Sequence, residues 1–167
     1  MEWLKRNISP YSLLFLAGAF AGVGIAWPVE DFVFNVLDWK LQSGFWGQIA
    51  IATFEEGLKF GLVLIALYFT KEWTAKKIIL YTVCAALGFG FMEAVVYFVR
   101  ATVTQPSVMF LFGYSIGLVI NLLCHIIFTL PAGLGLAYGY RRSIPLYIPI
   151  LGFLVSVSLH AFNNIIR

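Results

Sequence analysis

Charge is scarce in this chain: Asp, Glu, Lys and Arg make up only 11% of its 167 residues, against about 25% in soluble globular domains. With 61% hydrophobic residues, that scarcity excludes a soluble domain and implies an integral membrane protein. Cysteine is nearly absent. Cys84 and Cys124 sit in apolar stretches without motif spacing, which excludes a disulfide framework or a cysteine-based metal knuckle and says nothing about compartment. No linker, low-complexity tract or internal repeat is visible, and the zinc-protease pattern HExxH does not occur. The net charge of +3 is small and lies mostly in the loops of one side, so it speaks for membrane topology and against a nucleic-acid partner.

What the chain does have is a succession of apolar runs. They predict an all-α polytopic membrane protein: a single transmembrane domain over residues 1–167, a bundle of about five spans at about 10–29, 45–70, 78–99, 108–140 and 145–166. The 23 uncharged residues Asn7–Val29 are long for a cleaved signal peptide and read as a retained span. Glu30 and Asp31 end it, and the mixed stretch Asp31–Gly44 reads as a short helix lying along the interface. The run Val108–Tyr140 has 33 residues, about 50 Å if helical, which suits one span with an overhang. Pro131 within it predicts a kink or an early end. Five spans place Lys5, Arg6, Lys71, Lys76, Lys77, Arg141 and Arg142 on one side and Lys40, Arg100 and Arg167 on the other. The expected orientation is therefore a cytoplasmic amino terminus and an extracytoplasmic carboxyl terminus.

The few charges inside the spans carry the functional information. Glu55, Glu56 and Lys59 lie within Ala50–Phe69, and a charge at the centre of a spanning helix costs about 2.5–3.5 kcal/mol on insertion scales. Glu55 and Lys59, four apart, share a helix face and are expected to pair. Glu56 points about 100° away and needs a partner from another span. Glu93, His125 and His160 supply candidates, with Asn121 one turn before His125 and Asn164 one turn after His160. Counted from the outer ends of the spans, these groups fall in one layer between midplane and outer surface. Packing alone is a sufficient reason for a lone membrane histidine, but not for both histidines at the depth of three glutamates.

Three carboxylates against one ammonium leave a charge of minus two, which a divalent cation would balance. Carboxylates and imidazoles suit zinc, with Glu56, Glu93, His125 and His160 as candidate ligands and an open position for a water nucleophile. Protonated carboxyls would balance the charge as well. In that metal-free version Glu55 or Glu56 takes a proton from water, while His160 and Asn164 donate hydrogen bonds to the developing oxyanion. Either way the chemistry is hydrolysis of an acyl bond presented at the membrane. Ser156 and Ser158 read as small residues for helix packing.

Four stretches, in order along the chain, resemble the PrsW family of intramembrane proteases, related to the CAAX-type membrane proteases: EEGLK from Glu55 to Lys59, GFGFMEAVVY from Gly88 to Tyr97, HIIFTLPAGLGLAYG from His125 to Gly139, and LHAFNN from Leu159 to Asn164. The resemblance implies that Glu55, Glu56, Glu93, His125, His160 and Asn164 form the active site. It also implies a membrane-protein substrate of the anti-sigma-factor kind, cut near its extracytoplasmic end. Ala94, where many members carry asparagine, is a departure. The rival expectations are a catalytically silent scaffold of the same fold, a zinc-dependent lipid amide hydrolase, and an ion or proton carrier.

Overall fold

A computed structural model describes residues 9–36, 44–104, 108–142 and 146–166. Among them every regular element is helical. Helix α1 (Pro10–Phe20) starts with Pro10 in its first turn and with the Ser9 side chain accepting from the Ser12 backbone N–H at 3.1 Å, a side-chain cap that satisfies one of the orphan donors of a helix start. A π-helical stretch (Ala21–Ala26) follows, and α2 (Trp27–Val36) continues the same rod. The acidic pair at 30 and 31 therefore ends the apolar run but not the helix: hydrogen bonding along the backbone does not depend on apolar side chains. Of the interfacial segment expected at 31–44, residues 31–36 extend α2 and residues 37–43 lie outside the described residues.

Helix α3 (Phe45–Thr70) is capped by Lys71, whose left-handed backbone (φ 56°) returns its N–H to the Leu67 carbonyl at 2.9 Å. Helix α4 (Ala75–Thr104) begins with the Thr74 hydroxyl accepting from the Lys77 N–H at 3.3 Å. Helix α5 (Val108–Arg142) runs unbroken through Pro131, and α6 (Tyr147–Ile166) follows. The early end expected at Pro131 does not occur: the helix runs on through it, with α6 packed against that turn. The Ala132 N–H donates to Ser156 Oγ at 3.0 Å, and Gly152 lets α6 approach so closely that a methyl group on it would lie 2.5 Å from the Pro131 carbonyl oxygen.

Helix α3 touches α1, the π-helical stretch, α4, α5 and α6, and leaves one face, with Thr53, Gly57, Ile65 and Tyr68, exposed. The bundle is inside-out by soluble standards. Glu56 and Lys59 are 0% exposed, whereas Leu16, Phe20, Ile65, Phe69, Ile116, Ile127 and Leu154 face outward, as lipid demands. Among the described residues, four stretches are long and apolar enough to cross a membrane: Pro10–Val29, Ala75–Arg100, Ser115–Tyr140 and Tyr147–Ile166. The chain is thus an all-α polytopic membrane protein. Helix α3, 26 residues long, is the one that carries three charges in its middle.

Candidate active site

The site is assembled around Lys59. Its Nζ lies 2.7 Å from Glu56 Oε1, 2.9 Å from His125 Nδ1 and 3.6 Å from Glu55 Oε2, and it stands 4.3 Å above the centre of the Phe89 ring. The expected pairing with Glu55 is therefore the longer contact. A shared helix face brings Lys59 within reach of both neighbours three and four residues back, and the closer one is selected by His125, which pulls the ammonium toward α5. Glu56 accordingly has a partner in its own helix, as well as one in α6.

An ammonium has only hydrogens to offer, so His125 Nδ1 must accept from Lys59. Its Nε2 then carries the proton and donates to Glu93 Oε2 on α4. Asn121, one turn before His125, donates to the same oxygen at 3.1 Å. On α6, His160 Nδ1 is 2.8 Å from Glu56 Oε1, and its Nε2 lies 3.5 Å from Glu55 Oε2. A carboxylate can only accept, so the Nδ1 proton belongs to the Glu56 bond. The two imidazoles meet edge to face, 5.5 Å between centres, and Phe128 stacks on His160 at 5.3 Å. Four helices thus deliver Glu55, Glu56, Glu93, His125 and His160 to one layer. Asn164, one turn beyond His160, is half-buried and makes no hydrogen bond to this cluster among the described residues.

Ligand atoms of Glu55, His125 and His160 all lie within 4.8 Å of one another, and all three residues are buried. One carboxylate and two imidazoles are a donor set that suits a divalent transition metal. A second observation fits a cation here: Glu56 Oε2 is buried without a hydrogen-bond partner among the described residues, next to a cluster with more carboxylates than cations. The remaining acids hold the rings from outside, Glu56 on His160 and Glu93 on His125, as carboxylates do behind metal-binding histidines. Of the four ligands expected from sequence, His125 and His160 fall in this triplet. Glu56 and Glu93 stand behind it, and Glu55 is the carboxylate in it.

Glu55 and Glu93 also line a cleft of about 40 Å³ bounded by Gly22, Val23, Ala26, Trp27, Phe89, Val96 and Tyr97. That volume accepts roughly three waters at ~10–15 Å³ of free space each.

The model of the PrsW family of intramembrane metalloproteases matches residues 8–167. The chain belongs to the PrsW family. Curated proteins and solved structures yielded no match. As a PrsW-family member the chain is an intramembrane protease, a hydrolase of the multi-pass membrane class whose substrates are membrane proteins, and its His/Glu cluster is a candidate seat for the metal that the family description names. Phe89, Phe128 and Gly90 of this site escaped sequence reasoning. Gly90 faces His125, and a methyl group added to it would lie 2.7 Å from Cδ2 of the ring. Its signal was the spacing of three from Glu93, which puts both on one face of α4.

Proposed function

We propose that this protein cuts a peptide bond of a single-span membrane protein near the extracytoplasmic face, at a zinc site formed by Glu55, His125 and His160. The observation that carries it is the convergence of those three ligand atoms within 4.8 Å, beside a cleft that admits water to Glu55. When bound, zinc supplies a Lewis acid that polarises a carbonyl and lowers the pKa of its water. The protein's own groups do the rest. The Glu55 oxygen not given to the metal would take the proton from the attacking water and return it to the leaving amine as the C–N bond breaks. Glu56 holds the His160 ring in its tautomer, and Glu93 and Asn121 brace His125 from the far side; Lys59 donates to His125 Nδ1, the one lone-pair nitrogen of that ring, and would have to leave it for His125 to bind zinc. Asn164 provides an amide donor one turn from His160 for the oxyanion.

The side of the membrane follows from charge. Seven basic residues fall on one side and three on the other when α3 counts as a fifth span, so the amino terminus is cytoplasmic and the site lies in the outer half of the bilayer. A fifth span at 45–70 is energetically reasonable because the three charges of α3 face protein and one another instead of lipid. An anti-sigma-factor-like protein, with one span and an outer segment, is the type of substrate that such a site would take.

The test is cleavage of a co-expressed single-span substrate. Glu55→Gln and His160→Ala are each expected to abolish product while the protein stays inserted and folded; undiminished cleavage by both would end the proposal. Stoichiometric zinc in purified protein, with activity lost to a chelator, is the expected companion result. Activity that survives chelation would return the site to a metal-free carboxylate mechanism. Reporter fusions at the carboxyl terminus should report an extracytoplasmic location.

A further inference from the structure

A side-chain cation already stands where the candidate metal seat converges. Lys59 Nζ is 2.9 Å from His125 Nδ1 and 3.6 Å from Glu55 Oε2, two of the three seat residues, while it holds Glu56 Oε1 at 2.7 Å. The His125 contact is the one in conflict with a metal. A neutral imidazole has one N–H and one lone pair. Glu93 Oε2 fixes the N–H at Nε2, and Asn121 donates to that same oxygen, so only Nδ1 can be a ligand, and Lys59 aims a proton at it. An ammonium and a metal ion cannot share one lone pair. Lys59 nevertheless has another acceptor at hand. Glu56 Oε2, on the carboxylate that it already holds, is buried with no hydrogen-bond partner. An ammonium is a compact charge with three rotatable donors on a flexible four-carbon stem. A turn about its last bonds therefore carries Nζ from His125 Nδ1 toward Glu56 Oε2 while the backbone of α3 stays in place.

We propose that Lys59 is a built-in competitor for the metal seat: its ammonium and a divalent cation exclude one another from His125 Nδ1, and loading turns the ammonium onto Glu56 Oε2. This deepens the zinc reading of the site and rests on it. Charge favours an exchange of positions over an expulsion. Glu55, Glu56, Glu93 and Lys59 together carry minus two, so a divalent cation brings the layer to zero only if Lys59 stays within it. Leaving the layer would strand the ammonium in a bundle where its side chain is 0% exposed. Two consequences follow for the protein. Both rings keep their carboxylate partners whether or not Lys59 is on His125, so the ligands are oriented in advance of the metal. The apparent affinity is lowered by the small fraction of molecules whose Nδ1 is free of the ammonium. Lys59 is thus a positioning residue, acting on the metal through His125.

The test is zinc affinity of the purified full-length chain, read by competition with a chromophoric chelator. The decisive variant is the double substitution Lys59→Met with Glu56→Gln, which removes the ammonium yet keeps the layer at minus two, so that occupancy of His125 is separated from net charge. It is expected to bind zinc roughly 10–100-fold more tightly than the wild type, the factor by which a competent form populated at about 1–10% lowers apparent affinity. Lys59→Arg keeps a cation in place and should bring no such gain. A second measurement needs no disruptive variant: in the wild-type chain, labelled with 15N at lysine Nζ and histidine, the Lys59–His125 contact seen by solid-state NMR in lipid should vanish on zinc loading. Equal affinity of the double variant and the wild type, or a contact that persists with zinc bound, overturns the proposal and leaves the zinc site standing. Zinc bound by none of the chains overturns both. The expected gain in affinity, in a chain that cleaves no membrane protein, would keep the competitor and remove the protease reading.

Discussion

Two ion pairs of this protein have nearly the same length and opposite meanings. In the bundle, Lys59 Nζ sits 2.7 Å from Glu56 with both side chains 0% exposed; at the start of α4, Lys77 Nζ sits 2.8 Å from Glu72 of the preceding loop, with 30% and 45% of the two side chains exposed. Distance is therefore not what gives an ion pair its weight. In the loop, water solvates each partner without the other, so losing one costs little. In the bundle there is no water to stand in, so removing one partner leaves a charge that nothing else compensates. The buried pair is also tied to two histidines on two other helices, while the exposed one reaches the Tyr81 hydroxyl, 3.1 Å from Glu72, and the Tyr11 ring, 5.1 Å from Lys77 Nζ.

The sharpest way to break the comparison is to remove both ammonium groups in turn. Lys59→Met should destabilise the folded protein by about 3–5 kcal/mol, the cost of orphaning a buried partner, read as a shift in unfolding by detergent titration. Adding Glu56→Gln should restore part of the loss, because the orphaned charge is then gone. Lys77→Met should leave the curve where it was. A Lys59→Met curve that matches Lys77→Met would mean that burial does not separate the two pairs.

Next in size is an effect on geometry without a change of charge. Gly90→Leu pushes on the His125 ring and should lower the cleavage rate by roughly 10²-fold, the usual consequence of a misplaced group of about 1 Å. The same substitution at Gly61, which has nothing within 4 Å, should have little effect. Smaller again is the support that Glu93 gives His125. Glu93→Gln should weaken zinc binding by about 10–100-fold, measured by competition with a chromophoric chelator. Unaltered affinity would take Glu93 out of the metal's surroundings.

The smallest expected effect is the pH response of the loop pair. Hydrogen bonds from Lys77 and then Tyr81 hold the Glu72 carboxyl below its ordinary value. A depressed carboxyl adds stability at pH above its unfolded value, and that contribution disappears as pH falls through the lower folded value. Acid titration should thus show a loss that Glu72→Gln abolishes and added salt reduces. A response that survives Glu72→Gln would have to come from another group.

Much of this molecule is legible in its sequence, for reasons that follow from the bilayer. Hydrocarbon admits only satisfied backbone and apolar side chains, so run lengths reveal helices and their number, and an intramembrane charge stands out as something retained for use. That logic located Glu55, Glu56, Glu93, His125 and His160, and the order of four motifs pointed to the family whose model spans residues 8–167. The same logic overreached at Asp31, where leaving the hydrocarbon is not leaving the helix, and at Pro131, where the helix runs on past the proline and the Ala132 N–H donates to Ser156 Oγ on another helix.

Composition alone settled that this is a helical membrane protein with a buried acidic and imidazole layer, because the solvent dictates which side chains a spanning helix can carry. Folding decided which partner each polar group has. Glu56 and Glu55 are adjacent in sequence, yet one is held by Lys59 and His160, while the other joins His125 and His160 and faces a cleft lined in part by the π-helical stretch. A one-dimensional pattern fixes only the angle and depth of a group on its own helix. The distance to a group on another helix depends on how the helices pack, and here glycines set that packing.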